Sequence, residues 1–189
     1  MHPFGHKWDI AASVHYYQLA NRVYVDSDFA GNWTHDKSDD IDTARSRQRY
    51  IITYAGCPIC WKSQLQVEIS LSTTEDDYCE LSHALREAVP MIEMIKEMGR
   101  NKITMIMMNP RIYCEVYGYN SGALAIAKEQ KYRPRTKNLN IKLQHFQQYV
   151  NNNEIEILPI KTDDQPAEIF KNALAEPFLI KHWKFIMEW

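Results

Sequence analysis

Two aspartates set the question. Asp26 and Asp28 lie in RVYVDSDFAGNW, residues 22–33. Val23 and Val25 alternate there with Tyr24, Asp26 and Asp28, and Gly31 follows. A period of two in β-branched and aromatic residues predicts a half-buried strand. Its polar face then ends in two carboxylates at one open edge of a sheet. Carboxylate oxygens are hard ligands, so the residue types permit a divalent cation. Taken alone, the same pattern also fits a strand ending in solvated Asp residues before a turn.

Other acids must converge on these two for chemistry to follow, and the order of elements decides whether they do. A strand over about Arg22 to Phe29 is followed by a polar loop, Thr34 to Arg47. RYIITYAG and CPICWKSQLQ then form a hairpin turning at Ala55-Gly56. Ser72 and Glu75 make a capping box, hydroxyl first and carboxylate three later. Behind it Tyr78, Leu81, Leu85, Ala88, Ile92 and Ile95 form one apolar stripe, predicting a helix over about Thr73 to Gly99. Pro90 is expected to kink or split that helix. RIYCEVYGYN predicts a fourth strand, SGALAIA a helix, IKLQHFQQYV another, and residues 154–160 a fifth strand. QPAEIFKNAL predicts a last helix with Pro166 in its first turn. A meander followed by alternating strands and helices gives a mixed α/β sheet with helices on its faces. In that arrangement Asp26, Asp77 on the first helix, Glu168 on the last helix and the end of the fourth strand at Tyr119 can meet at one sheet edge.

The bulk numbers exclude several classes. The chain has 189 residues, 45% hydrophobic and 24% charged, with a net charge of −2. That suits one domain with a sizeable core. We expect residues 1–21 to be a lead-in, 22–176 the domain and 177–189 a C-terminal tail. Four cysteines do not make a disulfide scaffold, and the C-x-x-C of Cys57 and Cys60 lacks a second pair for zinc. No apolar run approaches the roughly 18 residues of a membrane span, and no signal peptide is visible. An intracellular, soluble protein is expected. The one basic block, Lys128, Lys131, Arg133, Arg135, Lys137 and Lys142, holds Tyr132 among its charges. It reads either as a solvated loop or as a nucleic-acid contact.

The motifs together resemble the ribonuclease H domain of copia-type retrotransposon polyproteins. The matching stretches are VDSDFAGNW, ARSRQRYIITYAGCPICWKSQLQ, EISLSTTEDDY, LSHALRE, NSGALAIA, KYRPRTKNLNIKLQHF and PIKTDDQPAEIF, in the family's order from about Tyr24 to Leu174. The resemblance implies a ribonuclease H-like fold with a five-stranded mixed sheet. It implies four carboxylates holding two Mg²⁺ ions, and cleavage of the RNA strand of an RNA/DNA hybrid. It also implies nucleic acid as partner, and the reverse transcriptase portion of a longer polyprotein as a second one.

Carried over, the family's metal acids fall on Asp26 (with Asp28 matching the same D-x-D), Asp77, Tyr119 and Glu168. The family's helix glutamate is an aspartate here, its last aspartate is Glu168, and its histidine is Asn138. Tyr119 is the main lesion, since a phenol with a pKa near 10 brings no charge at neutral pH. Glu115 lies four residues back on the same strand, roughly 13 Å away at ~3.3 Å per residue, and cannot replace it. Two readings follow: a hybrid-specific nuclease with a drifted, impaired site at Asp26, Asp77 and Glu168, or a non-catalytic nucleic-acid-binding relic. A third, an exonuclease or integrase core of the same superfold, fails on motif order.

Overall fold

The computed structural model describes residues 21–101, 114–128, 145–170 and 174–187. Five strands form one sheet: β1 (Asn21–Asp28), β2 (Arg47–Tyr54), β3 (Cys57–Leu65), β4 (Cys114–Gly118) and β5 (Ile155–Pro159). Their spatial order is β3-β2-β1-β4-β5. The first three strands pair antiparallel, whereas β4 and β5 run parallel to β1. This is the expected mixed α/β sheet, with β1 at its centre. The β2–β3 hairpin turns at Ala55 and Gly56, both at positive φ (51° and 83°). Two such residues suit the tight turn whose twist matches the flanking strands.

Helix α1 (Thr73–Arg100) starts at the Ser72/Glu75 pair, with the return bond one residue earlier than in a capping box. Glu75 N–H donates to Ser72 Oγ (3.1 Å), and the Glu75 carboxylate accepts from Leu71 N–H (3.0 Å). Pro90 does not split the helix: Thr73 to Arg100 is a single element. Its stripe of Tyr78, Leu81, Leu85, Ala88 and Ile92 is buried against Val23, Val25, Tyr50, Ile52 and Val116 on one sheet face. Each such Leu or Ile contributes roughly 2 kcal/mol by leaving water. Helix α2 (Ser121–Lys128) and the helical residues 145–151, α3, complete that layer through Ala123, Ala127 and Phe146.

The opposite face differs from expectation at the C-terminal end. The residues around Pro166 form a five-residue 3-10 turn (Pro166–Phe170), and not the start of an α-helix. Its bonds close over three residues, as in Glu168 N–H to Gln165 C=O (3.2 Å). Residues 177–187, expected as part of a tail, lie instead in helix α4 (Glu176–Met187). α4 lies on the sheet: Phe185 meets Tyr24 edge-on at 5.4 Å, and Tyr24 stacks on Tyr117 at 5.2 Å. Tyr24, Ile51 and Ala167 are the buried centre of this second, smaller core.

Because α4 covers that core, Phe185→Ala should cost about 2 kcal/mol, the low side for a Phe because this ring is half-buried. Urea denaturation of the variant measures it. A change within about 0.5 kcal/mol would mean that the helix contributes no packing.

Candidate active site

Strand β1 carries its acids to the end of the sheet with opposite fates for alternate residues. Ser27 points to the α1 face, and Asp26 and Asp28 to the other. Asp26 is directly opposite Arg49 in the antiparallel register, and Asp28 opposite Arg47. Arg49 takes both acids. Its Nη1 donates to Asp26 Oδ2 (2.7 Å) and its Nη2 to Asp28 Oδ2 (2.8 Å). The Arg49 side chain is 1% exposed and that of Asp26 0%. Gly31 closes the other side of Asp28: a Cβ there would stand 1.7 Å from Asp28 Oδ1.

Asp77 reaches the same end of the sheet from the first turns of α1. Its Oδ1 accepts from Ser27 Oγ (2.6 Å) and its Oδ2 from Asn120 Nδ2 (2.9 Å). Asn120 also caps α2, its Oδ1 accepting from Gly122 N–H (2.9 Å) and Ala123 N–H (3.1 Å). One side chain therefore ties the end of β4, the start of α2 and Asp77 together. Glu168 is buried on the 3-10 turn. That turn is pinned to β1 by Gln165, whose amide donates to the Val25 carbonyl (2.7 Å).

Tyr119 stands where these groups meet. It is 39% exposed, and its hydroxyl donates to the Ser27 carbonyl (3.2 Å). Burial raises its pKa, and Asp26, Asp77 and Glu168 each raise it further. Three of the sequence-predicted acids thus surround one neutral phenol. Asp28 is held apart by Arg49. Glu115 is engaged elsewhere, with Arg22 (3.0 Å) and the Tyr117 hydroxyl (2.7 Å). Lys128 is exposed at the end of α2. Lys131, Arg133, Arg135, Lys137, Lys142 and Asn138 lie outside the described residues.

These residues do not fit the two Mg²⁺ ions that the resemblance implies. Mg²⁺ needs carboxylate oxygens in near-octahedral array and keeps several waters. Here one oxygen each of Asp26 and Asp28 is given to Arg49, and both of Asp77 to Ser27 and Asn120. Among the described residues, no three His, Cys, Asp or Glu side chains are placed to hold a metal.

Sequence reasoning missed Arg49, Asn120 and a further acid, Glu80. Glu80 is fully buried one turn beyond Asp76 on α1, and neither carboxylate oxygen has a hydrogen-bond partner. Burial pushes its pKa well above the usual carboxylate range. Asp26, Asp76 and Asp77 push in the same direction, and Arg49 opposes them. The neighbouring Asp76 is also raised, by burial first, while the hydroxyls of Ser46, Ser27 and Ser70 lower it.

Glu80 therefore keeps its proton in the fold where the unfolded chain has lost it. Stability should fall as pH rises above about 4.5, by up to about 1.4 kcal/mol per unit, until the folded group ionises as well. Glu80→Gln removes that term, so the variant should gain on the wild type with rising pH and match it below pH 4. Thermal melts across pH 3–8 (a range of about five units) check this. A constant gap between the two proteins would contradict it.

No protein-family model matches the chain. The chain is 27% identical over 151 residues, 80% of its length, to the Pol polyprotein of transposon TNT 1-94 from Nicotiana tabacum. It is 26% identical over 157 residues, 83% of its length, to that of transposon RE1 from Arabidopsis thaliana. In each case it spans about 10% of the polyprotein. Among solved structures it matches LC11-RNase H1, isolated from compost by a metagenomic approach, with a TM-score of 0.51 and 15% identity. That match covers 80% of this chain and 92% of the other. The chain is a distant homologue of copia-type retrotransposon Pol polyproteins, and its fold is ribonuclease H-like.

Proposed function

We infer that this is a retrotransposon-derived ribonuclease H-like domain that binds nucleic acid and is impaired in hydrolysis of RNA/DNA hybrids. The observation that carries the reading is Tyr119, a neutral, hydrogen-bonded phenol among Asp26, Asp77 and Glu168. A cleft built to neutralise two divalent ions needs acid there. Asp26 and Asp77 are also bound to protein donors, so no metal-dependent step is derived for them.

Nucleic acid is the expected partner because the relatives are Pol polyproteins and because the sequence holds one basic block, from Lys128 to Lys142. Phosphate contacts by such residues release counterions and make binding salt-dependent. A residual-nuclease reading keeps one observation in its favour: Asp26, Asp77 and Glu168 still converge around a single position. A reverse transcriptase portion of a longer polyprotein is a further expected partner, and the expected setting is inside the cell. Among the described residues no helix is long and apolar enough to cross a membrane.

Two assays on the purified chain test this. A labelled RNA/DNA hybrid with Mg²⁺, against single-stranded RNA, should show no cleavage above a metal-free control. Hybrid-specific, Mg²⁺-dependent cleavage would mean a working nuclease. In the binding assay, neutralising Arg133 and Arg135 together should weaken hybrid binding and reduce the slope of log K against log salt by about 2. An unchanged slope would make the block a solvated loop.

A further inference from the structure

We propose that the Arg49 guanidinium is the resident cation of this acidic site, held there in place of a divalent metal ion. The inference rests on the reading of an impaired site and names what keeps it so: Arg49, more than the missing acid at Tyr119, denies the site to a metal.

The geometry is that of a cation site already filled. Arg49 presents its two terminal nitrogens to two different carboxylates, Asp26 and Asp28, at 2.7 and 2.8 Å. A planar fork suits this, and its charge cannot be lost by deprotonation at any ordinary pH. The guanidinium is 1% exposed, so it is an interior group and not a surface arm that swings in from solvent.

It also has no route out. Arg49 is the third residue of β2, on a strand flanked on both sides, in register with Asp26 on β1 and Ser63 on β3. Leaving would strip the fully buried Asp26 carboxylate of this ion pair. Asp28 is packed against the Gly31 backbone, its carboxylate filling the place that a Cβ there would take. A divalent ion entering between Asp26 and Asp28 would meet a fixed positive charge a few ångströms away in a low-dielectric setting. The two acids cannot serve both cations.

The site then keeps its shape and approximate charge balance with no metal present. Ser27, Asn120 and Gln165 hold the remaining parts by hydrogen bonds that owe nothing to an ion. Nucleic-acid binding by this domain is accordingly metal-independent.

The test uses Mn²⁺, an oxygen-binding ion whose free form is counted by paramagnetic resonance, together with thermal melts in Mg²⁺ and in EDTA. The wild-type chain should take up no stoichiometric Mn²⁺ and melt at the same temperature in both media. Tyr119→Asp, which restores an acid but keeps Arg49, should behave like the wild type. Arg49→Gln should take up Mn²⁺, with a Tm rise of about 3 °C at a Mg²⁺ concentration tenfold above its Kd. Where Arg49→Gln does not fold, Arg49→Ser carries the same expectation, since it removes the cation and keeps both acids. Mn²⁺ uptake by the wild type, or by Tyr119→Asp alone, would overturn the proposal. So would a folded Arg49 variant that takes up none. Wild-type uptake without hybrid cleavage overturns this proposal alone, whereas uptake with cleavage overturns the impaired-site reading as well.

Discussion

A carboxylate cannot be left ionised out of reach of water without a partner, and Asp26 is such a carboxylate. Its side chain has no exposure, and Arg49, 1% exposed, is its ion-pair partner across the β1–β2 ladder. Taking two charges out of water costs several kcal/mol per ion. The close N–H to oxygen bonds and the second acid, Asp28, offset that cost. Removing one member would leave the other buried and unneutralised. The pair therefore constrains the register of β1 on β2, and with it the place of every residue at the end of the sheet.

The other groups at this end follow from that register. With Asp26 and Asp28 on the α4 side, Ser27 must face α1, where it meets Asp77. Asp77 then orients Asn120, which caps α2 and sets the direction in which the chain leaves β4. Tyr119, one residue before, is left at the mouth among three acids. Beneath them Glu80 is in so negative and so dry a setting that burial favours its neutral form. The acidic site of a ribonuclease H-like fold is preserved in outline. Arg49 balances two of its acids, Asp26 and Asp28.

Much of the architecture was legible because local rules agreed. The period of two in β1, the Ala55-Gly56 turn and the Ser72/Glu75 box each act within a few residues, and each appears where expected. α4 was not legible. Phe178, Leu179, Ile180, Trp183, Phe185 and Ile186 leave only a narrow polar stripe at Lys181 and Lys184, so the helical period is easily missed and the segment reads as a tail. The turn at Pro166 was misread because its apolar residues suit a helix, while Gln165 bonds to β1 and fixes a tighter path. Convergence of Asp26, Asp77 and Glu168 was an expectation from the order of elements, to which the resemblance added the roles. Arg49 was visible only as one of several arginines in RSRQRY, since its importance depends on a cross-strand register that sequence periodicity does not supply. Glu80 sits beside the apolar stripe and reads as a boundary residue, yet it is wholly covered.

The most direct test of the ion pair as the organising interaction is a double-mutant cycle on Asp26→Asn and Arg49→Met, read by urea denaturation at neutral pH and low salt. Each single change should be strongly destabilising, and the double change much less so than their sum. The coupling energy should be about 3 kcal/mol, the range for a buried pair broken from one side. A coupling below about 0.5 kcal/mol, with additive single effects, would show that Asp26 and Arg49 do not depend on each other, and the site would need another explanation for its closed form.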